Sequence, residues 1–543
     1  MKKKKVLIIG GGIGGLSCAT ALAETGKFDI SIYDSDILGG QASSKKSKLC
    51  NTEIAWRVFG LHYRNIFSII NKLKIEKNFY EIKHNDVCEN NNQPAVGGSK
   101  NLFRVVLNVI KNNNFNQIGK IMEILFICKK RAINDYHNIT VNKFFNNNNY
   151  VNVLVGPYFG LEPKKATLSS YYKFLYSCFQ DWNVLWRSPA RNSSEISKYP
   201  TQDSLFKPWE KYLKKRGVKI FEKTGMNDII TNSNGKITNI IINNIKYEAD
   251  EIVFACSLKP LIKIFNNNYY LKNTLVNKKL NILNAGQQFY ISVNFYWKKR
   301  IISDRKCHMY TFYDGWMPII LKRFINTDYV KNNCDKNIKE VWNIGLADYL
   351  KGNYIKKYTS KSSFKEMIYE IKMNLINSPH FNKYGINKDT WDDLFYTYEF
   401  DDRYYRKLPT TEKFSINKNI EKNLLNNKEG ELGNNIYFSA YYVKGTVGGA
   451  SMETSCEIGL KTADLICKKN KVHNSMKPEF KTRSYIYILL LPFVILDYIL
   501  YKMKLEPITN YISPIILLIL YFIMIIVGLI YLNNIYLKKS KKY

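Results

Sequence analysis

The chain has 543 residues, enough for two to four domains, and 45% of them are hydrophobic, enough for sizeable cores. Lys and Arg outnumber Asp and Glu by 81 to 45, a formal charge of +36. These cations are spread along the whole chain among asparagine runs such as residues 146–149, and no basic helix, zinc motif or basic-aromatic module gathers them, which argues against a nucleic-acid partner. The ten cysteines include no CxxC pair, so the spacing supports neither a disulfide framework nor a zinc site. No metal ligand set is read, and reduced thiols in the cytosol are expected.

In chain order, residues 6–9 form an apolar run fit for a buried parallel strand, and Gly10, Gly12 and Gly15 follow at the spacing of a dinucleotide-binding turn, with Gly14 between them. The helix expected over residues 16–25 would point its N-terminal amides at a pyrophosphate. Ile30 and Ile32 alternate along a second strand, whose end places Asp34 nineteen residues after Gly15, where its carboxylate can accept both hydroxyls of an adenosine ribose. Lys2 to Lys5 before an apolar stretch imitates a signal peptide, but the glycines interrupt the apolar region and the nucleotide motif continues through it. Gly39 and Gly40 come next, followed by Gln41, and then by a cluster of Glu53, Trp56, Arg57 and Tyr63. Arg57 is open to two readings: contact with a cofactor phosphate or substrate carbonyl, or a salt bridge.

The asparagine-rich residues 89–98 read as a loop and residues 103–128 as helical. Strand-like segments lie between 217 and 255, with Met226 near their start. Residues 286–297 and 316–324 have strand character, and 364–376 helical character. Trp391, Tyr396, Tyr398, Tyr404 and Tyr405 could form an aromatic cage, but in a chain with 40 tyrosines packing is the better reading. The segment 435–445, then Ser451, Met452 and Glu453, reads as a strand, a loop and a helix start. Cys18 and Cys256 fall in buried-looking places and are read as core rather than reactive thiols; Cys456, near the helix start at Met452, carries a minor second reading, a thiol covalently holding a cofactor.

The glycine fingerprint, Asp34, Gly39–Gly40 and the Met452–Glu453 helix start together resemble the flavin-containing amine oxidase and phytoene desaturase superfamily, over most of residues 1–470. The resemblance implies an α/β fold: a discontinuous Rossmann-type FAD-binding domain (1–60, 200–262 and 425–470) with an α+β substrate domain (61–199 and 263–424). It implies that Gly39 and Gly40 wrap the pyrophosphate, that Met226 meets the adenine through its backbone, and that the helix opening at Met452 and Glu453 turns its positive end toward the pyrimidine side of the flavin. Gln41 stands where many members carry an arginine, and Ala440–Tyr441 replaces the common Gly-acidic pair. The loop from Asp34 to Gly39 is about one residue shorter than usual, by comparison with the fingerprint's spacing. The residues 413–417 fit the branch that carries the Glu53, Trp56 and Arg57 cluster.

The tail carries two apolar segments. Residues 511–532 hold no charge over 22 positions, enough to cross a hydrocarbon core of about 30 Å. Residues 485–501 are shorter and contain Pro492 and Asp497; a second transmembrane helix is expected there, the alternative being a helix lying on the membrane. Lys477, Lys481 and Arg483 before the pair and Lys538, Lys539, Lys541 and Lys542 after it place both flanks on the cytoplasmic face. The expectation is a membrane-anchored, FAD-dependent oxidoreductase with a cytoplasmic catalytic domain, passing hydride from a C–N or C–C bond of a small, lipophilic molecule to the flavin. The alternative is a flavin-binding or degenerate, non-catalytic membrane scaffold. No catalytic residue and no oligomeric state are legible.

Overall fold

In the computed structural model the described residues are 3–53 except 46, 57–60, 63–81, 84–87, parts of 120–145, 164–173, 195–301 except 289, 307–400 with short breaks, 413–414, 418–446, 451–479, 485–507 and 516. The elements that position the site are β1 (Lys4–Ile9), α1 (Ile13–Glu24), β2 (Phe28–Tyr33), α2 (Arg64–Leu73), β3 (His84–Val87), α3 (Lys129–Asn134), α4 (Lys207–Lys215) and β4 (Lys219–Phe221). They continue with β5 (Met226–Thr231), β6 (Ile237–Ile242), β7 (Ile245–Tyr247), β8 (Glu251–Phe254), α5 (Leu258–Asn267), β9 (Tyr290–Trp297), β10 (Cys307–Thr311) and β11 (Ile319–Arg323). The last are β12 (Glu340–Ala347), α6 (Phe364–Ile376), β13 (Phe395–Phe400), β14 (Ile436–Phe438), α7 (Met452–Lys469) and α8 (Tyr485–Lys502).

The first sheet has five parallel strands in the order β14-β8-β1-β2-β4. Its central strand β1 is apolar on both faces because both are covered, as parallel sheets require. Val6 and Ile8 enter a core shared with α1, α2, α4 and α7, whereas Leu7 and Ile9 enter a second core with α5 and the antiparallel β7-β6-β5 sheet. The β6–β7 turn has two residues, Asn243 and Asn244, both with positive φ, the conformation such hairpins require and one asparagine tolerates.

The second large sheet runs β13-β9-β12-β11-β10-β3, antiparallel except for the parallel β10–β3 edge. One face, with Phe295, Trp297, Ile320, Trp342 and Ile344, packs under α6. The helix α6 begins at Ser363, whose hydroxyl accepts the Glu366 N–H while Glu366 returns to the Ser363 N–H. On the other face Asn294 and Asn343 lie opposite each other, and both donate to the carbonyl of Glu53, at 3.4 and 3.5 Å. That contact joins this sheet to the short hairpin of Ser44–Lys45 with Thr52–Glu53.

Two sequence expectations change here. The ten thiols are not all reduced: Cys50 and Cys334, 284 residues apart, form a disulfide, beside a hydrogen bond from the Asp335 N–H to the Leu49 carbonyl at 2.7 Å. Close pairs and motifs are legible as spacing, whereas this pair is brought together only by the fold. In the tail, residues 485–502 are helical, yet among the described residues no helix is long and apolar enough to cross a membrane. The segment 511–532 lies outside the described residues except for position 516, as do the loop 89–98, most of 103–128, Trp56, Tyr404 and Tyr405.

Candidate cofactor site

The site forms where β1 gives way to α1. Gly10 has φ +113° and a Cβ there would come within 2.5 Å of the Ala255 carbonyl oxygen. At Gly15 a Cβ would overlap the Gly10 carbonyl, and at Gly14 the Ser439 carbonyl, so these glycines let helix and strands close on one another. Gly12 differs: a Cβ built on it meets nothing within 4 Å. It is the N-cap of α1, where no side chain caps the helix and no acidic residue occupies the first turn. A helix N-terminus with its amides turned to open space is a place for an anion.

The second glycine pair closes on the same spot. The Gly39 N–H donates to the Gly11 carbonyl at 2.8 Å, and Gly39 bridges Gly12. Gly39 has φ +107°, and a Cβ on it would collide with the ring of Phe206. Asp34 accepts the Gly11 N–H at 2.5 Å and the Asp36 N–H at 2.8 Å. Burial pushes its carboxyl above the usual range, and those two N–H groups pull it back. Met226 opens β5 just after Thr224, whose N–H donates to the Asp34 carbonyl at 2.6 Å. Gly10, Gly12, Gly14, Gly15, Asp34, Gly39 and Gly40 are therefore gathered at one end of the sheet, with the Met226 strand start beside them.

Gln41 lies in the turn Gly40–Ala42, and its carbonyl accepts Arg57 Nη2 at 2.7 Å. Arg57 is buried and its Nε reaches Glu53 Oε2 at 3.1 Å, so of the two readings the salt bridge is realised. The other Glu53 oxygen accepts both the N–H and the hydroxyl of Thr201 at 2.6 Å. The network ties the glycine-pair turn to the second large sheet through one residue, Glu53, whose carboxylate holds Arg57 and Thr201 and whose backbone carbonyl accepts Asn294 and Asn343. Sequence reading missed Glu53 as its centre and missed Thr201 altogether. The only local signal was the i, i+4 spacing of Glu53 and Arg57.

The closing helix α7 starts where expected, with Ser451 as N-cap accepting the Thr454 N–H. Gly459 lets it approach α1: a Cβ there would overlap the Gly14 carbonyl. Glu453 is buried and accepts the N–H and side-chain amide of Asn65 at 2.9 and 2.7 Å and the Ile66 N–H at 3.0 Å. It binds the open first turn of α2, a structural task that the resemblance did not specify. Burial pushes its carboxyl up to about 7, against the pull of those donors. Cys456 is buried with the Ser17 hydroxyl donating to its sulfur at 3.2 Å, and burial pushes the thiol well up, so it is core. Trp391 packs among Phe295, Trp297 and Phe395, which fits packing rather than a cage. Lys322 is buried against Glu340 at 3.1 Å, opposite Trp342 in register and thus on the α6 side of the sheet.

On the face that meets the Glu53 hairpin, Ser292 Oγ and Asn343 Oδ1 are buried without a hydrogen-bond partner among the described residues. Buried polar atoms are nearly always satisfied, so a bound polar group has somewhere to bond.

The glycine cradle, uncapped helix and carboxylate define a dinucleotide site of Rossmann type, and comparison with known proteins agrees. Residues 8–73 match the family model described as an NAD(P)-binding Rossmann-like domain. The chain is 35% identical over 75 residues to the 4,4'-diaponeurosporene oxygenase of Staphylococcus haemolyticus, covering 13% of this chain and 15% of that protein. It therefore spans about a seventh of that curated relative's length. Cyclohexylamine oxidase from Brevibacterium oxydans matches with a TM-score of 0.58 at 13% identity, covering 87% of this chain and 100% of that one. A putrescine oxidase matches at 0.60 and 12%, covering 86% and 99%, and an oxidoreductase from Methanosarcina mazei at 0.59 and 11%, covering 84% and 98%. The fold is thus shared with these oxidases.

Proposed function

We propose that the protein is an FAD-dependent oxidoreductase of the amine oxidase and desaturase type, held at a membrane by its C-terminal region with the flavin domain on the cytoplasmic side. The observation that carries the reading is the open space over Gly12, framed by the α1 N-terminus, Asp34 and the Gly39–Gly40 pair. When bound, FAD supplies the hydride acceptor, so the protein needs little acid-base equipment of its own. Gly12 leaves room for the pyrophosphate, the first amides of α1 face its charge, and Asp34 accepts ribose hydroxyls. The buried atoms of Ser292 and Asn343 offer hydrogen bonds to a substrate's polar group, while a membrane location favours a lipophilic body, such as an isoprenoid or lipid.

The test is the absorption spectrum of purified full-length protein before and after reconstitution with FAD, followed by anaerobic addition of amines and of polyprenoids. Flavin uptake and bleaching by one class, reversed on reoxidation, is expected. Protein that takes up no FAD overturns the cofactor reading. Flavin that binds and is reduced by no compound favours the alternative, a non-catalytic scaffold, for which the substitutions at Gln41 and Tyr441 speak.

A further inference from the structure

The helix α8 presents its faces the wrong way round for a helix packed in water. Asp497 is fully buried, and Arg131 of α3, itself buried, donates to both of its oxygens at 3.1 and 3.2 Å. Arg131 also donates to the Leu505 carbonyl at 2.9 Å, Asn134 donates to the Tyr501 hydroxyl at 2.6 Å, and the Phe493 ring packs tilted against Phe126 at 4.9 Å. The helix is thus clamped to the protein by its polar side. Its outward side is apolar: Ile495, Leu496, Ile499 and Met503 are 51, 41, 48 and 63% exposed. At 100° per residue these positions fall within one arc of about 100°, opposite Phe493 and Asp497. A continuous exposed stripe of this kind marks an interaction surface.

Three observations choose its occupant. Eight residues beyond the helix the chain enters residues 511–532, with 22 consecutive uncharged positions, so α8 sits beside the point where an anchor would enter a bilayer. Lys502 and Lys504, both exposed at the end of the stripe, suit lipid phosphates. The ion pair to Arg131 keeps Asp497 in the protein, so the helix meets lipid without exposing that charge and cannot cross without breaking the pair.

We infer that α8 lies flat in the headgroup layer of an anionic phospholipid bilayer, with Ile495, Leu496, Ile499 and Met503 in lipid and Asp497 turned to Arg131. It orients the protein on the membrane and does not span it. This rests on the membrane reading proposed above.

The experiment places a photoreactive benzoyl-phenylalanine at position 499, 503 or, as a control, the exposed Tyr269 that follows α5. The full-length chain is reconstituted into phosphatidylcholine–phosphatidylserine vesicles, irradiated, and its adducts are mapped by mass spectrometry. Lipid adducts at 499 and 503, on headgroup or upper acyl carbons, with none at 269, are expected. Adducts near the acyl terminus would make α8 a span and overturn the inference. Adducts to residues 511–532 or to a second copy would assign the stripe to a protein partner and also overturn it. A chain that does not float with vesicles at all overturns the membrane reading itself, whereas one that floats without lipid adducts at 499 and 503 overturns only the placement of α8.

Discussion

A methyl group at position 12 would project into open space, whereas at positions 14 and 15 it would collide with backbone carbonyls. Two substitutions three residues apart should therefore fail differently. Gly12→Val is expected to give soluble protein with unchanged circular dichroism that takes up no FAD, because its side chain occupies the pyrophosphate's place. Gly15→Ala should already be lost at folding, read as insoluble protein or a collapsed melting transition. Arg57 offers a second test. It is the counter-ion of the fully buried Glu53, and removing one partner of a buried pair costs about 3–5 kcal/mol. Arg57→Ala should lower the melting temperature measured by calorimetry, and Arg57→Lys should recover little, since one ammonium cannot serve Glu53 and the Gln41 carbonyl in the forked geometry. The glycines and Asp34 were legible because a nucleotide turn imposes fixed local spacing. Glu53 with Thr201 was not, because 148 residues separate them and nothing local marks a buried carboxylate's partners.

At the scale of elements, periodicity served where one face is buried and failed where only tertiary contact gives the role. The helix Phe364–Ile376 coincides with the span read from sequence, its start fixed by the Ser363–Glu366 box. The helix start at Met452 was legible too, but the task of Glu453 was not, because its partner α2 is 388 residues away. Glu453 gives a pH-dependent prediction. Its folded value, about 7, lies above its ordinary 4.5. The neutral form is therefore the one folding favours: the contribution is fully present below 4.5 and is lost as the pH rises through about 7. The difference in melting temperature between wild type and Glu453→Gln should accordingly shift against the wild type between about pH 5 and about pH 8. A difference that stays constant over that range would mean the carboxylate is ionised throughout, its three N–H donors outweighing burial. In the tail, hydropathy alone made residues 485–501 a span. The clamp of Arg131 on Asp497, invisible in a local window, explains how an aspartate sits in so apolar a helix.

For the whole molecule, the bond between Cys50 and Cys334 joins the hairpin that carries Glu53 to the segment leading into β12 of the second large sheet. Closing a loop of 284 residues removes unfolded-state entropy worth on the order of 5 kcal/mol in the chain-entropy description. Adding reductant should therefore lower the melting temperature of the wild type, and Cys334→Ser should reproduce that loss and no longer respond to reductant. If reductant leaves the melting temperature and the gel mobility unchanged, the two sulfurs are thiols in solution and the domains are held by Glu53, Asn294 and Asn343 without a covalent tie. The bond also bears on the membrane orientation proposed above, because reducing compartments do not hold structural disulfides. Membranes quenched in acid and alkylated before lysis report the state in the cell. Alkylated Cys50 and Cys334 agree with the proposed cytoplasmic face. A protected, disulfide-linked peptide pair would reverse the topology, placing the flavin domain on the oxidising side and making the lysine-rich flanks a feature of composition rather than a signal of orientation.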